Sequence, residues 1–111
     1  MESGAISLFM SNVETIPGKS ITRSLGLVTG STVRAKHLGK DIFAGLKNLV
    51  GGELKQYTDL LNESRNEALQ RMMMQAHGMG ANGIVNIRFA TSSVAAGASE
   101  LFCYGTAVVV E

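Results

Sequence analysis

Apolar residues recur through the middle of the chain as Leu54, Tyr57, Leu61, Ala68, Met72, Ala76 and Met79, at spacings of three, four or seven. That is the period of an amphipathic helix. It predicts a helix from about Leu54 to His77, ended by Gly78 or Gly80, with Leu61 facing a sheet. Asp59, Glu63 and Glu67 lie in its earlier half and Arg71 and His77 later, the order that complements a helix dipole. Leu38, Ile42, Leu46 and Leu49 predict an earlier helix over 37–50, with Lys47 near its end and Gly51-Gly52 as its stop.

Strand signals flank the helical centre. An apolar run from Ile6 to Asn12 precedes Glu14-Thr15-Ile16-Pro17-Gly18, where proline fixes φ and glycine permits the positive φ of a type II turn. Lys19 to Lys36 is rich in Ile, Val, Thr, Leu and Ser, which predicts a long strand bent or bulged at Gly26 or Gly30 and returning antiparallel on the first. After GMGANG, Ile84 to Ala90 alternates, with Val85, Ile87 and Phe89 on one face and Asn86 and Arg88 on the other. TSSVAAGAS has no period and reads as a loop, whereas LFCYGTAVVV is almost continuously apolar and reads as a central or interface strand.

The order ββααββ predicts one α+β domain: a mainly antiparallel sheet of about four strands with two helices on one face. Residues 1–12 form an N-terminal extension and first strand, and 13–111 the remainder. A formal charge of +1 with interspersed signs gives no footprint for nucleic acid or an anionic membrane. No apolar run approaches the roughly 18 residues of a membrane span, and AISLFM lacks the basic flank of a signal peptide, so the cytoplasm is the expected compartment. The single cysteine, Cys103, cannot form an intramolecular disulfide. Thirteen glycines exceed the roughly 7 % of ordinary proteins, and fit tight turns or close backbone approach.

The segments ETIPG at 14–18, SLGLVTGSTVRA at 24–35, GKDIFAGLKNLVGGELKQYTDLL at 39–61, GANGIV at 80–85 and YGTAVVV at 104–110 together resemble the YbjQ-like family of small bacterial proteins. The resemblance runs in order from Val13 onward, and residues 1–5 look like an added start. It implies an α+β subunit that assembles into a ring, a homopentamer, with an unassigned molecular function and an inherited heavy-metal-binding label.

The residues supply little chemistry for that label. Soft-metal sites need convergent Cys or His ligands at short spacing, and Cys103, His37 and His77 are far apart, so no metal ligand is assigned. Cys103 in an apolar strand reads as a small hydrophobe, although a ring could bring identical residues together at subunit boundaries. Asp41, Glu53 and Tyr57 near the glycine hinge could form a polar pocket for a small ligand or a hard cation. The favoured reading of Asp41 and Glu53 is helix capping. Arg34 and Arg88 could hold an anion or a carboxylate such as Glu100, with an exposed or intersubunit ion pair the commoner use. Met72, Met73 and Met74 point about 100° apart on a helix and suit packing rather than a metal. Gly78, Gly80 and Gly83 follow a helix and precede a strand, the reverse of a phosphate loop. Neither Ser92 nor Ser93 has a recognisable base, so no enzyme and no cofactor is expected.

The sequence therefore predicts a homo-oligomeric binding or structural module, with metal sites at subunit boundaries as the alternative. Val108, Val109 and Val110 would put valine on both faces of the last strand, and the expected cover for the second face is another copy of the chain.

Overall fold

The computed structural model describes residues 6–34, 54–95 and 98–111, and its described helix, α1, Leu54–Gly78, packs mainly on two strands of the sheet. The helix has the predicted extent. Its stop is a left-handed Gly80 (φ 91), with the Gly80 amide donating to the His77 carbonyl and the Ala81 amide to the Ala76 carbonyl. These two bonds satisfy carbonyls that the end of a helix leaves open. The predicted helix over 37–50 lies outside the described residues.

Four strands form one mixed sheet: β1 (Phe9–Met10), β2 (Ile21–Arg34), β3 (Gly83–Ala95) and β4 (Ala98–Val110), in the order β1-β3-β4-β2. The α+β class holds, and β4 is central as its apolar run requires. The first pairing differs from expectation. β2 pairs antiparallel with β4, while β1 pairs parallel with β3 at the opposite edge. The turn at Pro17-Gly18 is type II, with the Lys19 amide donating to the Ile16 carbonyl and Gly18 at φ 82. It is not a hairpin, because the chain uses it to cross the end of the sheet, where Ser20 exchanges backbone bonds with Glu111.

β3 continues through TSSVA and pairs with β4 at Thr91–Leu101, Ser92–Glu100 and Ser93–Ser99, so much of the predicted loop is hairpin. Small residues show no hydrophobic period there, and the ladder rather than burial sets their conformation.

Two register shifts decide which side chains meet the helix. β2 gains a residue between Ser24 and Gly26, with Gly26 at φ 112, so the predicted bulge falls at Gly26. β3 gains one between Val85 and Arg88, with Asn86 at φ 56. A single added residue reverses the facing of the rest of the strand. Ile84 and Ile87 thus join the helix-side core, whereas Val85 packs on the other face. The predicted shared face of Val85 and Ile87 is corrected by this bulge.

The helix-side core contains Val28, Ala68, Met72, Met73, Ala76, Ala81, Ile84, Cys103 and Ala107. Leu61 is 36 % exposed and is not the buried anchor that the periodicity predicts. The closest approach falls further along, where Ala68 and Met72 lie over Gly30. On the second face, Ile16 from the crossing turn packs with Val85, Val108 and Val110. Val108 and Val110 are therefore covered within the chain, by a residue of the crossing turn rather than by the second copy expected for them.

Candidate functional site

The second face of the sheet carries the main unassigned surface. Val28 is buried under the helix, so its neighbours Leu27 and Thr29 fall on the opposite face, beside Thr106 and Tyr104 of β4. Alternation along β4 adds Phe102, whose ring lies 6.0 Å from that of Tyr104 in a tilted arrangement. Leu27 is 68 % exposed and Tyr104 37 %, while Phe102 is half-buried. Ile16 covers only the Val108 end of this face.

The free edge of β2 is closed by side chains of the helix. Gln75 Oε1 accepts from the Thr29 amide at 2.8 Å, and Arg71 Nη1 donates to the Ser31 carbonyl at 2.6 Å. Arg71 also meets Glu67 one helical turn earlier at 3.1 Å. Backbone groups at an open edge invite pairing with another strand, and these contacts occupy two of them. The other edge is short: Phe9 and Met10 are exposed there, with the Lys19 ammonium 4.6 Å from the centre of the Phe9 ring.

The residues singled out from the sequence do not converge. Arg88 Nη1 donates to the carbonyls of Asn12 at 2.6 Å and Ile87 at 3.0 Å, tying the crossing loop to the bulge. Glu100 accepts from Ser92 Oγ at 3.4 Å, a long and weak bond. Arg88 sits opposite Tyr104, four residues from Glu100, which is about 13 Å along a strand. The strand register therefore sets Arg88 and Glu100 apart within the subunit, and the pairing that their charges allowed is not made there. Arg34 is opposite Ser99 in the ladder, and Tyr57 lies in the first turn of α1. Asp41 and Glu53 lie outside the described residues, as does His37, so both readings of Asp41, Glu53 and Tyr57, capping and a polar pocket, fall outside the described residues.

Sequence reasoning passed over Asn82. Its side-chain amide donates to the Val110 carbonyl at 2.9 Å and accepts from the Val110 amide at 2.7 Å. Its own carbonyl accepts from Phe9, and its amide donates to Val108. One residue therefore fastens β1 and the start of β3 to the end of β4. The signal available was its place in GANGIV, between a helix stop and a strand.

A model of the family described as "Putative heavy-metal-binding" (YbjQ) matches residues 8–111. The chain belongs to the YbjQ family. A "UPF0145 protein" of Hahella chejuensis is 66 % identical over 104 residues, covering 94 % of this chain and all of the relative. Another from Archaeoglobus fulgidus is 54 % identical over 101 residues, covering 91 % of this chain and 94 % of the relative. A solved structure from Pediococcus pentosaceus, described as a protein of unknown function in the DUF74 family, superposes with a TM-score of 0.61 at 16 % identity. It covers 94 % of this chain and 98 % of that one, and supports the fold alone. These YbjQ relatives carry no enzymatic name, and their molecular function is unassigned.

The donors among the described residues do not assemble a site for the metal in the family description. Among the described residues no group of three or more His, Cys, Asp or Glu side chains converges on a point. Cys103 is fully buried in the helix-side core, and burial pushes its thiol above the ordinary value of 9.0. Met72 and Met73 are buried with it and Met74 is exposed, as packing on a helix requires. No described helix is long and apolar enough to cross a membrane.

Proposed function

We propose that this chain is a homo-oligomeric binding or structural module whose subunits meet through the open face of the sheet. The observation that carries the reading is the exposed apolar strip of Leu27, Phe102 and Tyr104. A second apolar surface, Phe9 and Met10, lies on the opposite edge of the same sheet. A contact that joins two different surfaces repeats around an axis, and forms a closed ring when its rotation closes. A closed ring of five subunits, as the family resemblance implies, belongs to this proposal. The proposed compartment is the cytoplasm, and the proposed role is non-enzymatic, supported by relatives without an enzymatic name. A small ligand near Asp41, Glu53 and Tyr57 belongs to the same proposal.

Light scattering of untagged protein at micromolar concentration tests the reading, with a mass of several subunits expected. Leu27→Asp and Tyr104→Asp each place a charge on the strip without entering either core, so both should lower the mass while leaving circular dichroism unchanged. A wild-type monomer would overturn the proposal, as would folded variants that keep the wild-type mass.

A further inference from the structure

We infer that Cys103 is a packing residue of the helix–sheet interface, closed to thiophilic metals in the folded subunit and open to them only when α1 lifts from the sheet. This goes beyond the oligomeric reading and disagrees with the metal in the family description.

Gly30 lies opposite Cys103 in the β2–β4 ladder. A Cβ on Gly30 would overlap the Ala68 carbonyl oxygen and the Met72 amide nitrogen. The helix backbone therefore rests on the strand beside the thiol. Across β3 the partner of Cys103 is Phe89, and Met72, Ala68 and Val28 belong to the same buried cluster. No part of Cys103 is exposed, so residues of a neighbouring subunit cannot reach its sulfur while the helix stays docked. That removes Cys103 from any site shared between subunits.

The polar group to weigh against this is Thr32, two residues along β2. Thr32 is 2 % exposed, and its buried hydroxyl has no hydrogen-bond partner among the described residues. A thiol and a hydroxyl on one face of a strand pair, with a thioether from the helix packed on it, would be a site only with a second anionic or imidazole donor. Among the described residues no group of three or more His, Cys, Asp or Glu side chains forms there, and His77 is exposed beyond the last buried turn of the helix. A neutral hydroxyl is a poor ligand for a soft ion. Binding one metal by a single thiolate would also require ionising a thiol in an apolar layer, which burial opposes.

Linkage gives the opposite sign for the two readings. A metal held by the native fold raises the melting temperature, and one that reaches its thiol only in the opened chain lowers it. The experiment melts wild type and Cys103→Ala with and without methylmercury, and titrates native wild type with cadmium while following the thiolate–metal absorbance band. Methylmercury should lower the wild-type Tm and leave that of Cys103→Ala unchanged, and cadmium should give no band. A raised Tm or a stoichiometric band, absent from Cys103→Ala, would overturn the inference. An unchanged wild-type Tm would overturn its access-by-opening clause.

A further measurement needs no variant. The native thiol should react with a disulfide reagent at least about 100-fold more slowly than in urea-unfolded protein, since reaction waits on local opening. Equal rates would show the thiol to be accessible and sink the proposal.

Discussion

Gly30 lies directly beneath Ala68, close enough that a methyl group on the strand would occupy the position of the helix carbonyl oxygen. Glycine is required here by space rather than by φ, unlike Gly26 in the bulge, whose φ is 112. The helix approaches β2 on this small pair, with Met72 following one turn later.

Gly30→Ala should destabilise the fold by about 3 kcal/mol, the upper part of the range for overpacking, because rigid backbone lies on the other side. Urea denaturation measures it. A cost below about 0.5 kcal/mol would mean that the helix is not seated on the strand at this point.

Leu61 and Met72 separate the helix periodicity from the real contact. Met72 is fully buried, and Met72→Ala should cost about 2–5 kcal/mol. Leu61→Ala, at a position 36 % exposed, should cost about 1 kcal/mol or less. Denaturant melts giving the reverse order would place the helix on the other face.

Asn82 holds both backbone groups of Val110 with one side chain. Asn82→Ala leaves those groups unpaired in a partly buried place, at a cost of about 1–3 kcal/mol. Asn82→Asp should also destabilise at neutral pH, since a carboxylate keeps the acceptor but turns a negative oxygen toward the Val110 carbonyl. Hydrogen exchange should locate the loss at the ends of β3 and β4.

Removal of Thr106–Glu111 takes away the end of β4, which pairs on both sides and carries Ala107, Val108 and Val110 into the two cores. Truncation after Gly105 should abolish the cooperative thermal transition. A truncated chain that still melts cooperatively would show that β4 is dispensable in this half.

The Cys103 thiol titrates above its ordinary value because burial disfavours the thiolate, while its backbone contact with Gly30 opposes that effect weakly. In alkaline solution the unfolded chain ionises first, so the native state holds the extra proton. Stability from this group is complete below about pH 9 and declines as pH rises toward the folded value. Stability against pH, compared with Cys103→Ala, should show a steeper alkaline fall in wild type; parallel curves would refute the assignment.

The long helix, the type II turn, the bulge at Gly26 and the centrality of β4 follow from the sequence, since each rests on a local rule. A 3.6-residue period, a Pro-Gly pair, a strand glycine and an unbroken apolar run constrain the backbone wherever they occur. The α+β class follows from their order. No local rule chooses a strand's partner: β2 could pair with β1 or β4, and the choice rests on contacts with residues more than seventy positions away, such as Val28 with Gly105. The added residue at Asn86 separates Ile87 from Val85 because one register step reverses a face, and asparagine tolerates the left-handed backbone without revealing a bulge in the hydrophobic pattern. The periodicity that placed Leu61 on the apolar stripe could not say where along α1 the sheet lies. Nor could the run of valines show that Ile16, from a turn almost a hundred residues earlier, would cover their second face. Arg88 and Glu100 looked like partners by charge, and strand register set them apart. Periodicity and turn chemistry act between near neighbours, whereas partner, register and cover depend on the whole chain closing on itself.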